Sequence, residues 1–126
     1  MSVPSSTGTR FGPHVAGPLP AEVASTFRGG SYSQVALESD TVLYRVYGGS
    51  SGQLSPYWSR TAPQGPLQAR MDWALPPGNT AQNVVQIRVP QGTTVFDGAA
   101  GPNFGQLGDG NQVYIPRVDP SWVVKP

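Results

Sequence analysis

Residues 97–116, DGAAGPNFGQLGDGNQVYIP, decide how the rest of this chain is read. Gly98, Gly101, Gly105, Gly108 and Gly110 surround a single aromatic, Phe104, and the run then turns into the alternating Gln112-Val113-Tyr114-Ile115, which predicts a strand. Glycine loses more backbone freedom on folding than any other residue, so a Gly-dense segment feeding a strand implies a backbone that must come close to something. That something is another piece of chain or a ligand.

The composition around this stretch is that of one small domain. The chain has 126 residues, of which 16 are Gly and 14 are Pro, and its aromatic and β-branched residues are too numerous and too regularly placed for a disordered tail. The expected fold class is α+β, mostly β, compact and rich in turns. A net charge of +1 gives no whole-molecule case for direct nucleic-acid binding or for an acidic membrane, so arginine placement has to carry any electrostatic argument. The absence of cysteine removes disulfides, thiolate nucleophiles and Cys-type zinc sites together, and the single His14 removes a His cluster. No apolar run is long enough to span a bilayer and no signal-peptide core is visible, so any export is expected to use a route that the chain does not encode.

Residues 1–19 are rich in Ser, Thr, Gly and Pro without a period and read as a flexible linker or arm; residues 20–126 read as a single domain. PAEVASTFR, residues 20–28, predicts a short helix that packs Val23 and Phe27 inward and stops at Gly29-Gly30. Alternation predicts strands over 33–38, 41–47, 57–61, 83–89 and 93–97, and an edge strand over 122–124. Within 41–47, Leu43, Arg45 and Tyr47 share one face. A second helix is expected after Gly65-Pro66, with Leu67, Met71, Ala74 and Leu75 as its core stripe. Trp58 and Trp73 are expected in the core.

The residue types exclude more chemistry than they offer. A Ser-His-Asp or Cys-His mechanism needs a base beside the nucleophile, and the one His lies in the arm. Asp97 and Asp109 are the only carboxylates in the Gly-rich stretch, and Asp109 sits in a Gly-Asp-Gly turn where Asp is the ordinary residue. No Lys follows the glycines, and loop leads to strand rather than helix, against a phosphate-binding loop of Walker or Rossmann type. What remains is a reaction that needs little acid or base, such as cleavage of the nicotinamide–ribose bond of NAD, whose leaving group departs neutral without protonation. Arginine for the pyrophosphate, aromatic faces for the ring and a hydrogen-bonding side chain on the ribose would suffice. Arg45, Tyr57 with Trp58, Phe104 and Gln112 are residues of those kinds. An equally ordinary place for Arg45 is over a sheet face, or in a pair with a carboxylate such as Asp97.

AAGPNFGQLGDGNQV, residues 99–113, resembles the C-terminal signature of the necrotizing-toxin NAD glycohydrolases of bacteria and fungi. LYRVYGG (43–49) is similar to that family's first-strand arginine segment, and ALPPGN (74–79) to its Leu-Pro-Pro segment. The same landmarks are similar to ADP-ribosyltransferase toxins at the ends of Rhs-type polymorphic toxins. The resemblance implies an ADP-ribosyltransferase-like split β core with one or two short helices. It also implies Arg45 and Gln112 as catalytic residues, Arg45 on the NAD phosphates, and Phe104 as a wall for nicotinamide or ribose. Tyr47, Tyr57, Trp58, Ser59, Arg60 and Asn83 are the further candidate substrate contacts of this chain, with no metal ligand expected, and with NAD or NADP as substrate and no separate cofactor. Two departures matter. The glycohydrolase pattern has a His near the start of the 83–89 strand, where this chain has Thr80, Gln82 and Asn83. The transferase pattern ends in a Glu, where this chain has Gln112, which cannot deprotonate an acceptor. The expectation is therefore an NAD(P) glycohydrolase that forms the toxic module of a larger secreted or cell-delivered toxin, with a cognate immunity protein as partner. ADP-ribosyl transfer, or a non-catalytic β binding module, is the alternative.

Overall fold

The computed structural model describes residues 8–12, 14–49, 51–65, 68–69, 71, 73–75, 78–103, 106 and 108–124. The fold is α+β and mostly β. Its strands are β1 (Thr9–Phe11), β2 (Tyr32–Ala36), β3 (Thr41–Tyr47), β4 (Tyr57–Trp58), β5 (Asn83–Val89), β6 (Thr94–Ala99) and β7 (Asn111–Tyr114), and a short helix, α1 (Ala21–Ala24), precedes β2. All pairings between strands are antiparallel and form two sheets, β1-β2-β6-β7-β4 and β3-β5.

β5 and β6 are joined by a turn at Gly92 yet lie in different sheets. Pro90 has no N–H to extend the β5 ladder. The turn is instead sewn to the end of β2, where Gly92 N donates to Leu37 O (2.8 Å) and Leu37 N to Thr93 O (3.0 Å). The chain thus crosses from one layer to the other, and the main core fills the space between. Val85, Ile87 and Val89, alternate residues of β5, meet Leu43 of β3 and Val35, Val95, Val113, Ile115 and Trp58 of the larger sheet. The sheets are linked at Tyr44 and Ser59, which exchange backbone hydrogen bonds of 2.7 and 2.8 Å.

The outer face of the larger sheet is covered by the N-terminal segment. Phe27 and Tyr32 pack there on Phe96, with Phe11, Leu19 and Tyr114 around them. Part of the segment read as a linker is therefore in the fold, since β1 pairs with β2 from Thr9 to Phe11; residues 1–7 lie outside the described residues. α1 is shorter than expected. Phe27 leaves it to bridge Ala100, so the buried ring is placed by an extended segment, while Val23 is only half-buried.

The second helical stretch also differs from its expected stripe. Ala69 N donates to Gly65 O and Trp73 N to Ala69 O, so a helical turn is present, but Met71 is 38% exposed and fully buried Ala69 faces inward with Trp73, against Val46. Ala74 and Leu75 do pack inward; Leu67 lies outside the described residues. Pro120–Trp122 forms a 3-10 turn rather than strand, after which Val123 bridges Ile87 and Val124 N donates to Gln86 O. Among the described residues, no helix is long and apolar enough to cross a membrane.

Candidate active site

Two glycines of the opening stretch, Gly98 and Gly108, are explained by close approach of chain rather than by ligand. A Cβ at Gly108, where φ is +79°, would sit 2.6 and 2.7 Å from the carbonyl oxygens of Ala100 and Gly101. Gly108 N donates to Met71 O, Asp109 N to Ala100 O, and Ala100 N to Gly110 O, so the loop folds back on its own start. Asp109, left-handed at φ +75°, pairs with Arg28 at the surface.

Gly98 has a second effect. It faces Gln112 across the β6–β7 ladder, and a Cβ there would lie 2.8 Å from Cδ1 of Phe27. The missing side chain admits the Phe27 ring, and Gly101 N donates to Thr26 O at 2.8 Å. Thr26 is thereby held beside Gln112, whose Nε2 donates to its hydroxyl at 2.8 Å.

Gln112 and Arg45 line one cleft of about 290 Å³. Ser25, Thr26, residues 101–103, Tyr44, Val46, Ser51 and Ser55 border it, as do Trp73, Ala74, Leu75 and Asn79. Among the described residues, no Asp, Glu, His or Lys borders the cleft.

Arg45 is half-buried and holds the turn after β3. Its Nε donates to Gly52 O (3.2 Å), Nη2 to Ser51 Oγ (2.9 Å) and Gly52 O (3.1 Å), and Nη1 makes one long bond to Tyr57 O (3.5 Å). A guanidinium has five N–H donors, so one on Nη1 remains. The ion pairs of the described residues are Arg28–Asp109, Arg60–Asp97 and Arg88–Asp40, and Arg45 is in none of them. Burial alone holds its pKa below the ordinary arginine value. A half-buried cation facing only neutral acceptors is costly to keep, and an anion would relieve that cost.

Tyr57 stands opposite Tyr114, in edge-to-face contact at 5.2 Å, and shares the sheet face of Gln112. Burial pushes its phenol above the ordinary tyrosine value, while the hydrogen bond with Thr26 acts in the opposite direction.

The other sequence-derived candidates divide. Trp58 and Ser59 border the cleft, but the Trp58 ring is a core group whose Nε1 donates to Ser55 O, and the Ser59 hydroxyl is engaged with Thr61. Arg60 is not in the cleft. It takes Asp97, the partner considered for Arg45, at 2.8 Å, and Asn111 joins the same carboxylate at 2.7 Å. Tyr47 packs against the main core and Asn83 faces it across the β3–β5 ladder, both away from the cleft. Phe104 lies outside the described residues. Sequence reasoning missed Thr26, Tyr44 and Trp73 as cleft residues; Thr26 is 86 residues from Gln112, and no local pattern links them. No group of three or more potential metal ligands converges among the described residues.

Comparison with protein-family models, curated proteins and solved structures finds no match to this chain.

Proposed function

We propose that the cleft binds NAD(P)+ and hydrolyses its nicotinamide–ribose bond. The supporting observation is that, among the described residues, Arg45 has no carboxylate partner and borders one cleft with Gln112, amid aromatic and hydroxyl side chains and no neutral-pH acid or base. Loss of a pyridinium needs no general acid, because the electron pair of the C1′–N bond leaves with the ring nitrogen as neutral nicotinamide. Water then bonds to C1′ and releases a proton to solvent, giving ADP-ribose. Positioning and charge stabilisation are what such a reaction asks of the protein. In this reading Arg45 binds the pyrophosphate, Tyr57 borders the ring, and Gln112 holds the ribose. The cleft is at the small end for ligand sites, which fits the nicotinamide–ribose end of the dinucleotide.

The proposal extends to the chain acting as the toxic module of a larger delivered toxin with a cognate immunity protein. ADP-ribosyl transfer is the weaker reading, because a carboxamide at residue 112 cannot deprotonate an acceptor nucleophile.

Incubation with NAD and separation of the products tests the proposal. Gln112→Ala is expected to slow nicotinamide release by roughly tenfold to a hundredfold, the effect of losing a hydrogen bond to the reacting sugar. Equal rates for the two proteins would contradict it.

The pH profile gives an independent check. Arg45 stays charged at neutrality despite its lowered value, and the raised value of Tyr57 keeps it protonated to higher pH than an ordinary tyrosine. Turnover at low substrate is therefore expected to stay within about twofold between about pH 5.5 and 8.5. A bell-shaped profile centred near neutrality would reveal a titrating group outside the proposed site.

A further inference from the structure

We propose that Thr26 is a positioning residue that turns the carboxamide oxygen of Gln112 into the cleft, so that the cleft selects a ligand bearing a sugar hydroxyl at one end of an anion. The inference rests on the proposed reading of the cleft and names the group that Gln112 recognises.

The orientation follows from counting protons. A threonine hydroxyl has one proton and two lone pairs. The Thr26 proton is committed to Val23 O at 2.6 Å, so Oγ1 acts as acceptor toward its other two partners, the Tyr57 phenol and the neighbour at 2.8 Å, which must then be the NH2 end of Gln112. The carbonyl end then points away from Thr26. It makes no hydrogen bond among the described residues, and no buried polar side-chain atom there lacks a partner, so Oε1 is open to the cleft that Gln112 borders.

Arg45 and Gln112 therefore ask for opposite things. Arg45 offers a positive charge and a spare N–H, and Gln112 offers a lone pair. A ligand satisfies both by presenting an anion to the first and a hydroxyl donor to the second. Were the amide reversed, residue 112 would offer N–H groups and favour an acceptor such as a carbonyl. Thr26 thus sets the sign of the recognition without itself touching the reacting bond.

The variant Thr26→Val keeps the shape and removes the hydroxyl. It leaves the backbone in place, because Thr26 N also donates to Val23 O (3.0 Å) and Gly101 N still donates to the residue 26 carbonyl (2.8 Å). Calorimetric titration with ADP-ribose and with ADP capped as its β-methyl ester, which carries the same diphosphate charge, isolates the terminal sugar. The unaltered protein is expected to prefer ADP-ribose about tenfold, one well-made hydrogen bond. In Thr26→Val the preference falls to about unity because affinity for ADP-ribose drops far more than that for the capped ADP, and Thr26→Ser restores the preference. No preference in the unaltered protein, a preference that survives Thr26→Val, or an equal loss of both ligands would each overturn the inference. NAD turnover measured on the same unaltered sample separates the two ideas. Preference without turnover overturns hydrolysis and leaves Thr26 its role; turnover without preference does the reverse.

Discussion

Replacing Arg45 with Met is expected to lower NAD turnover at low substrate by roughly a hundredfold to a thousandfold, the range for truncating one partner of a buried, hydrogen-bonded charge pair between protein and ligand. Stability should change little. The guanidinium is in no ion pair among the described residues, and its strongest partners, Ser51 and Gly52, lie at a half-buried to exposed turn where water can replace it. Arg45→Lys is expected to recover only a small part of the activity. A single ammonium cannot span the Gly52 carbonyl and Ser51 hydroxyl while still presenting an N–H to the cleft. The check is a pair of measurements on each variant, initial rate and melting temperature. Activity falling in step with melting would make Arg45 a structural residue, whereas loss of activity at unchanged melting is the predicted result.

Gly108→Ala is expected to have the largest effect on stability. The added Cβ would meet two backbone carbonyls at 2.6 and 2.7 Å, which no side-chain rotation relieves, at a φ of +79° that penalises any L side chain. Left-handed strain and overpacking together cost about 2–4 kcal/mol, or a fall in melting temperature on the order of 10 °C. Because the carbonyls belong to Ala100 and Gly101, and Gly101 borders the cleft, turnover should fall as well. Gly52→Ala is the control, since nothing lies within 4 Å of a Cβ there. Thermal denaturation of both variants checks the difference, and equal melting temperatures would show that the loop does not need its close approach.

Much of the fold was legible because its strands alternate. Thr41–Tyr47 and Asn83–Val89 have the boundaries read from the sequence, and the buried Val85, Ile87 and Val89 are the face that period two predicts. The larger architecture was not legible. Nothing local says that β5 and β6, separated by one turn, should enter different sheets, because the turn between them is held by Leu37, just past the end of β2. The Met71 stripe failed for a related reason. A short helical turn is oriented by what it meets, and here Ala69 and Trp73 meet Val46.

The candidate site was half legible. The pattern of the Gly-rich stretch pointed to Gln112 and that of 41–47 to Arg45, and both border one cleft. Arg60, Tyr47 and Asn83 do not border the cleft, because residue type cannot say which arginine takes Asp97 or which part of a strand meets the core or solvent. Thr26 was invisible, since its place depends on Phe27 seating over Gly98. The glycines themselves turn out to serve two ends. Gly108 folds the loop onto its own chain, and Gly98 admits the ring that sets Thr26 against Gln112.

The most direct test is to incubate the purified chain with NAD and quantify NAD, nicotinamide and ADP-ribose together over time. Nicotinamide and ADP-ribose appearing in equal amounts, each matching the NAD consumed, is the predicted result. An unchanged NAD concentration would contradict hydrolysis at this cleft.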